Sequence, residues 1–554
     1  MSSLDNLPEG SKWLPVTSRS EWLWVICVSG VVLFLSTISY LVAYQAQTPD
    51  LAFNGAVLDR PDYAVHLATM QLGARGDWSY HFLFTHEPHP GAYVKLGYIA
   101  LGHLAALFRL DLPLVYQLAR LAFGFSASLM IYLFLAVVFN EIYWRRVGFL
   151  LAVLGSGLGW MQMLLSWFPQ ADISPVDFWL VDGYVFFSIL TFPHFSVVLT
   201  LIIGMIVAYL GYIKRGSIWP IVSVIVFGVC AQAIQPYSAI VADIAIFGAF
   251  LGWSWQNRQI PWKEIGILAA IALSQVPLFA YNSLVFQSGP VWEAFVAQNI
   301  TLSPPPVYYF WGYFLFWPFV IIGMGKLLII LKAETDSRRV DNLPGLMAAG
   351  SWIIGVMILA YLPTVLQRRF MLGFTVPLSV LATYALKSAV FHWLDKRQAR
   401  GLEHWKGLVP VLLIAFSMIS SLFLGLNTAW FAAQRPQALF DSTVVVNAVD
   451  WLGSQARQED VALASERTGL LVASRTGLRV FLGHPIETMD YQTKSSQVRD
   501  FYQGKIAPDW MYKRGIRWVI WGPAERELSG SDRLGLELEQ TYQDQDITIY
   551  KINP

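Results

Sequence analysis

Between residues 58 and 93 the chain gathers side chains that could do acid–base or metal chemistry. The stretch LDRPDYAVHLATMQLGARGDW, 58–78, carries Asp59, Asp62 and Asp77, and HFLFTHEPHPGAY, 81–93, adds His81, His86, Glu87 and His89. A carboxylate within hydrogen-bond reach of an acceptor hydroxyl can act as a general base. Asp62 is the first choice for that task, with Asp59 or Glu87 as helper, because neighbouring carboxylates raise one another's pKa. A structural role competes. Ala64, Leu67, Ala68 and Leu72 recur at helical spacing until Gly73 and Gly76 end the pattern, which places Asp62 at or near an N-cap and Asp59 just outside it. The two roles do not exclude each other. His86 and His89 beside Glu87 supply nitrogen and oxygen ligands that could hold a divalent metal ion, and a solvated interfacial turn accounts for them equally well.

Further polar residues lie in or near apolar surroundings. Arg120 falls one turn into an apolar run, and Arg368 and Arg369 sit in LPTVLQRRFMLGFTVPL, 362–378. All three are open to a reading as snorkelling arginines at lipid headgroups. Asp182 and His194 in DGYVFFSILTFPHF, Gln235 in AIQPY, and Asp243 are ionisable or polar groups of the kind that marks function within membranes. His194 is otherwise an interfacial histidine, and Asp243 a hydrogen-bonded core residue. Near the end, TGLRVFLGHPIETMDYQTK, 476–494, collects Arg479, His484, Glu487 and Lys494 after an expected strand, either as a ligand loop or as a structural contact.

The elements that must position these groups are mostly membrane spans. Of 554 residues, 55% are hydrophobic and only 14% charged, against about 25% charged in soluble domains, so the chain reads as an integral membrane protein. A net charge of +1 gives no basic face for nucleic acid, and two cysteines in apolar runs offer neither a disulfide framework nor a thiolate metal site. Apolar runs begin with 22–44 and recur to 408–432, about eleven in all; 91–109, with Lys95, His103 and Arg109, is amphipathic enough to lie in the interface. Basic residues then alternate: Lys12 and Arg19; Arg145 and Arg146; Lys214 and Arg215; Arg258 and Lys263; Lys332, Arg338 and Arg339; Lys396, Arg397, Arg400 and Lys406. The loops 169–190 and 286–306 hold none. By the positive-inside rule the segment 1–21 is cytoplasmic, while the loop 45–113 and the tail are extracytoplasmic. If 91–109 crosses instead, the carboxylate loop moves to the cytoplasm and all later loops keep their sides. The loop 287–313, rich in Pro and aromatics, forms either a cover over a ligand or part of an aromatic belt.

After a membrane domain over 22–433, residues 434–554 change character. VALAS (461–465), RVFLG (479–483), RWVIWG (517–522) and DITIYKI (546–552) are predicted strands, and STVVVNAVDWLGSQA and SSQVRDFYQG predicted helices. A small extracytoplasmic α/β domain follows.

The acidic first loop, the GDW of 76–78, the Pro-containing turn EPHPGAY, the second interfacial segment and Arg120-Leu121 at the entry to the next span resemble the GT-C superfamily of integral-membrane glycosyltransferases. The resemblance covers the transmembrane region and is clearest over 45–125; together with FPHF, QPY, QRRF and GHPIET it looks like a bacterial branch without a well-defined activity. It implies a polytopic α-helical fold with interfacial helices in the first external loop, and transfer of a sugar from a polyprenyl-phosphate carrier to a lipid, glycan or protein acceptor. It also implies that 91–109 does not cross, and that Asp62 falls at the catalytic carboxylate. Arg368, Arg369 and Arg120 then become ligands of the departing phosphate, since guanidinium forks suit phosphate oxygens. Asp182 and His194 would line the cavity, and His86 and His89 would be metal ligands. The chain departs from the family's usual acidic pair, since Tyr63 follows Asp62, and His86 and Glu87 stand where basic residues are often found. The rival expectation is a transporter or lipid-handling protein that performs no transfer, for which QPYSAIVAD offers a broken helix. A third reading is an assembly protein whose tail recruits partners, with the loop carboxylates as caps only.

Overall fold

The computed structural model describes all residues except 1–16, 166–174, 259–260, 333–341, 397–403, 532, 535–537 and 553–554. Lys12, Arg338, Arg339, Arg397 and Arg400 lie outside the described residues. Six described helices are long and apolar enough to cross a membrane: Arg19–Gln45, Leu112–Val138, Pro193–Arg215, Ala239–Asn257, Trp262–Val285 and Trp405–Ala433. Pro306–Gly312 and Trp317–Lys332 meet that standard only as a pair, bent by 97°, and Leu96–Phe108, Trp219–Ile234 and Leu343–Leu359 are apolar but shorter. The chain is an α-helical membrane protein with a small sheet near its end. Three of the expected apolar runs, 147–168, 307–331 and 370–391, are not single helices, the bent pair being the second of them. The run 147–168 stops at Leu154 and resumes at Gly159, with Gly155 in extended conformation. The run 370–391 begins as a 3₁₀ turn, Gln367–Met371, ahead of the helix Thr375–Ala385.

The chain divides into two compact units. The first comprises Met1–Ile38, Arg120–Phe279 and Thr301–Asn427. Its helices Ala239–Asn257 and Leu343–Leu359 approach closely because small residues face the contact: a Cβ on Gly248 would strike the Ser351 hydroxyl, and one on Gly355 the Ile244 side chain. In lipid, where apolar burial drives little association, such close backbone packing holds helices together.

The second unit comprises Ser39–Ala119, Ala280–Ile300 and Thr428–Pro554. Its five-stranded sheet runs Arg479–Val480, Val461–Leu463, Ile516–Trp521, Ile547–Lys551, Glu539–Asp544; the first three strands are parallel, and the last two add an antiparallel hairpin. Alternation along Ile516–Trp521 sends Trp518 and Ile520 to one face and Val519 and Trp521 to the other. Both faces are buried. On the first, Ala462, Trp518, Ile520 and Ile549 share a core with Leu72, Phe82, Phe84 and Trp292; on the second, Leu463, Val519 and Trp521 pack on Val498 and Phe501 of the helix Tyr491–Tyr502. The first-loop strand Leu51–Phe53 pairs antiparallel with Phe440–Ser442. The loop and the tail are therefore one folded body.

Candidate functional site

Two helices frame the first-loop carboxylates. Arg60–Ala74 and Leu96–Phe108 pack so closely that a Cβ on Gly73 would enter the Ile99 carbonyl, and one on Gly102 the Met70 carbonyl. The cap is Asp59, not Asp62: Pro61 occupies the first turn, and the Asp59 carboxylate accepts from the Asp62 N–H at 3.4 Å. The expectation of Asp62 at the cap is thus displaced by one turn. Asp62 lies inside the first turn, where a negative charge meets the positive end of the helix dipole.

The Asp62 carboxylate meets His484 of the GHPIET loop. His484 Nδ1 accepts from the backbone N–H groups of Ile486 at 3.2 Å and Glu487 at 3.3 Å. Those bonds assign the ring proton to Nε2, which donates to Asp62 Oδ1 at 3.1 Å. The imidazole is 6% exposed and the Asp62 side chain 34%. A carboxylate held by a buried, backbone-locked imidazole and still open to solvent can accept a proton from an entering hydroxyl.

The same tail loop and the helix Tyr491–Tyr502 that follows it meet the rest of the turn. Lys494 donates to Glu87 Oε2 at 2.6 Å and to Thr85 Oγ1 at 2.9 Å; Lys95 pairs with the buried Glu487 and lies 4.6 Å from the centre of the Tyr80 ring. Burial raises the Glu87 pKa, but the Lys494 ammonium and the Thr85 hydroxyl outweigh it and hold the carboxyl below its ordinary value. Glu87 is thereby an ion-pair partner, which leaves it poorly suited to act as a helper base. Burial and then the Lys494 charge push His86 down to about 4, so its contact with Glu87 Oε1 at 3.3 Å is not a charge pair near neutral pH. His89 uses both nitrogens on backbone, accepting from Phe82 N at 2.9 Å and donating to Glu87 O at 2.8 Å. A metal held by His86 and His89 would have to break these bonds. Among the described residues no three His, Cys, Asp or Glu side chains are grouped as a metal site.

A cavity of about 340 Å³ opens beside this turn, lined by Arg75, His81, His89, Gln458, Glu459 and Arg479. Arg75 is anchored to Asp77 Oδ2 at 3.1 Å and Gly477 O at 3.0 Å, and Arg479 to Glu459 O at 2.9 Å. Arg60 and Arg467 converge on the buried Asp441, at 2.9 and 3.2 Å. Sequence reasoning did not single out Asp441 or Arg60; the Arg-Pro pair after Asp59 was the available signal for the cap, and nothing local signalled the ion pair.

In the first unit Arg120 differs from its expected role. It is fully buried, donating to Ser36 Oγ at 3.1 Å, Ile189 O at 3.0 Å and Thr37 Oγ1 at 3.1 Å. Those bonds tie the helix Leu112–Val138 to Arg19–Gln45 and to Val185–Thr191. Arg368 and Arg369 instead lie half-buried on the turn Gln367–Met371. Burial raises the Asp182 pKa and the charges of Arg369 and Arg368 oppose that rise; Arg368 also lies 5.5 Å from the Trp179 ring. The Gly373 N–H, just past the arginines, donates to the Asp182 carbonyl at 2.8 Å. Tyr237 of QPY, which accepts from Gln235 Nε2 at 2.6 Å, feels the same two arginines. QRRF, DGY and QPY thus meet at one cluster. The His194 ring lies 4.1 Å from that of Phe195. Asp243 accepts from Gln275, which in turn accepts from Gln232.

No family model matches the chain, and no curated protein matches it. Among solved structures it is similar to ArnT from Cupriavidus metallidurans bound to undecaprenyl phosphate, at 12% identity and a TM-score of 0.48, covering 94% of this chain and 98% of that one. It is also similar to ArnT from the same organism in the apo state, at 13% identity and 0.45, over 95% and 98%. For arabinofuranosyltransferase AftD from Mycobacteria the figures are 11% and 0.49, over 98% of this chain and 40% of that one.

Proposed function

We propose that the chain is an integral-membrane glycosyltransferase of the GT-C kind, moving a sugar from a polyprenyl-phosphate carrier to a lipid, glycan or protein acceptor at the extracytoplasmic face of the cell membrane. The observation that carries the proposal is Asp62: inside the helix's first turn with Asp59 at the cap, oriented by the Nε2–H of His484, and one-third exposed. Asp62 takes the proton of the acceptor hydroxyl as that oxygen bonds to the sugar's anomeric carbon. The bond from that carbon to the phosphate oxygen breaks, and the polyprenyl phosphate leaves with the electron pair. Within the first unit, Arg368 and Arg369 are cations of a kind that suits phosphate oxygens, and their charges also act on Asp182. A divalent metal ion, if one takes part, would need ligands other than His89.

The test is transfer of radiolabelled sugar from a panel of polyprenyl-phosphate donors by membranes holding equal amounts of each variant. Asp62→Asn is expected to lose about 10²- to 10⁴-fold, the contribution of a positioned base. Asp59→Asn keeps a good capping side chain and should transfer within a few-fold of the native chain. Equal activity in both variants would remove Asp62 as base. A second reading, a non-catalytic transporter or lipid-handling protein, draws on the break at Gln235–Ser238 and the relay Gln232–Gln275–Asp243. It would be favoured by lipid exchange that survives Asp62→Asn but fails in Asp243→Asn.

A further inference from the structure

A second cationic cavity lies within the first unit. It measures about 440 Å³ and is lined by Lys326, Tyr384, Lys387, Ser388 and His392, with Val138, Phe139 and Leu346 on its apolar side. Arg368 and Arg369 lie just before the helix that starts at Thr375; the cavity lies at that helix's other end, where it passes into a π-helical turn, Leu386–Phe391. About seventeen residues at 1.5 Å each separate the two ends, roughly 25 Å, close to a hydrocarbon core's thickness. Such turns are rare and recur at functional sites; their i→i+5 bonding brings residues four and five apart onto one side. Tyr384, Ser388 and His392 are spaced by four, and Lys387 and His392 by five.

Lys326 is the informative residue. It sits in WPFVIIGMGKLLIILK, six residues and about 9 Å before the helix's last lysine, and among the described residues no acidic side chain pairs with it. An ammonium at that depth is costly unless a partner faces it. Ile322 and Ile329, on the same face by their spacing of four and three, are 40% and 63% exposed, as expected of a surface turned to acyl chains. Lys387 is bonded to Glu141 at 2.6 Å, but Glu141 is 53% exposed, so that pair is screened and weak and its ammonium can serve another anion. The basic loops place this end of the helices on the cytoplasmic side.

We propose that this cavity binds the phosphate of an anionic membrane lipid, with Lys326 and Lys387 as its cations and the acyl chains lying along Ile322 and Ile329. Basic pockets between membrane helices on the cytoplasmic side suit such headgroups. The site is independent of sugar transfer. The test is native mass spectrometry of the full chain in detergent, titrated with phosphatidylglycerol or with phosphatidylcholine. Preferential retention of one phosphatidylglycerol is expected, weakened about fivefold in Lys326→Gln, the share of one basic residue at such a surface, and kept in Lys326→Arg. Lys387→Gln, at the half-exposed side, provides a second variant with a similar loss. Equal retention by the native chain and both Gln variants would overturn the site. Displacement of the lipid by inorganic phosphate would overturn its assignment to a lipid.

Discussion

Replacing Lys494 by Met removes the ammonium that Glu87 and Thr85 share. Lys494 is 5% exposed and its partner carboxylate 25%, with 2.6 Å between them. Removing one member of a buried pair costs about 3–5 kcal/mol because the other charge stays behind. Glu87 can rehydrate through its exposed quarter, so the expected loss lies at or just below that range, about 2–3 kcal/mol. The double variant Glu87→Gln, Lys494→Met leaves neither charge stranded and should cost less than the two single changes together, with a coupling of about 1–3 kcal/mol. The assay is thermal unfolding of the four proteins in detergent at one scan rate near pH 7.5. Because the folded-state pKa of Glu87 is depressed, its contribution is present above the unfolded value and lost as pH falls through the folded one, so the coupling should vanish once the pH lies below that folded value. Additive losses at pH 7.5 would refute the pair's role in joining the tail loop to the turn.

His86 titrates the opposite way in charge but with the same sign in stability. With a folded pKa of about 4 against an ordinary 6.5, the native state resists protonation, so stability is complete above pH 6.5 and falls by about 3 kcal/mol as pH drops to 4. His86→Gln should flatten that slope in thermal scans, and an unchanged slope would point to another group. Gly102→Ala should cost about 1–3 kcal/mol by overpacking against the Met70 carbonyl. Gly266→Ala, where the added methyl meets open space, should be neutral or slightly stabilising; equal melting temperatures for the two would contradict the close helix contact.

What the sequence made legible followed local physics. All four predicted strands of the tail appear, because each is a run of apolar residues buried on at least one face. The strand Glu539–Asp544 was missed: EQTYQD is largely polar and lies at the sheet edge, where exposure erases the alternation that marks a strand. The helix Glu466–Thr476, with three charged residues in ERTGLLVASRT, was missed for a related reason. The cap moved from Asp62 to Asp59 because Pro61 fixes the first turn, a signal present in the sequence but outweighed by the apolar pattern. The pairing of Asp62 with His484 could not be read from one sequence, since 422 positions separate them and neither flank carries a trace of the other. Arg120 shows the complementary failure: an arginine at a span entrance looks alike whether it meets a ligand or ties helices through hydroxyls and a carbonyl.

That separation of 422 positions sets a timetable for biosynthesis. Chains grow at about 5–20 residues per second, so the first loop emerges roughly 20–80 s before its partner histidine exists. Through that interval Leu72, Phe82 and Phe84, which end in a core shared with the sheet, lack the sheet side of that core, and Asp62 has no imidazole. A chain that ends before residue 434 carries the first loop without its partner histidine and without the sheet that completes its core.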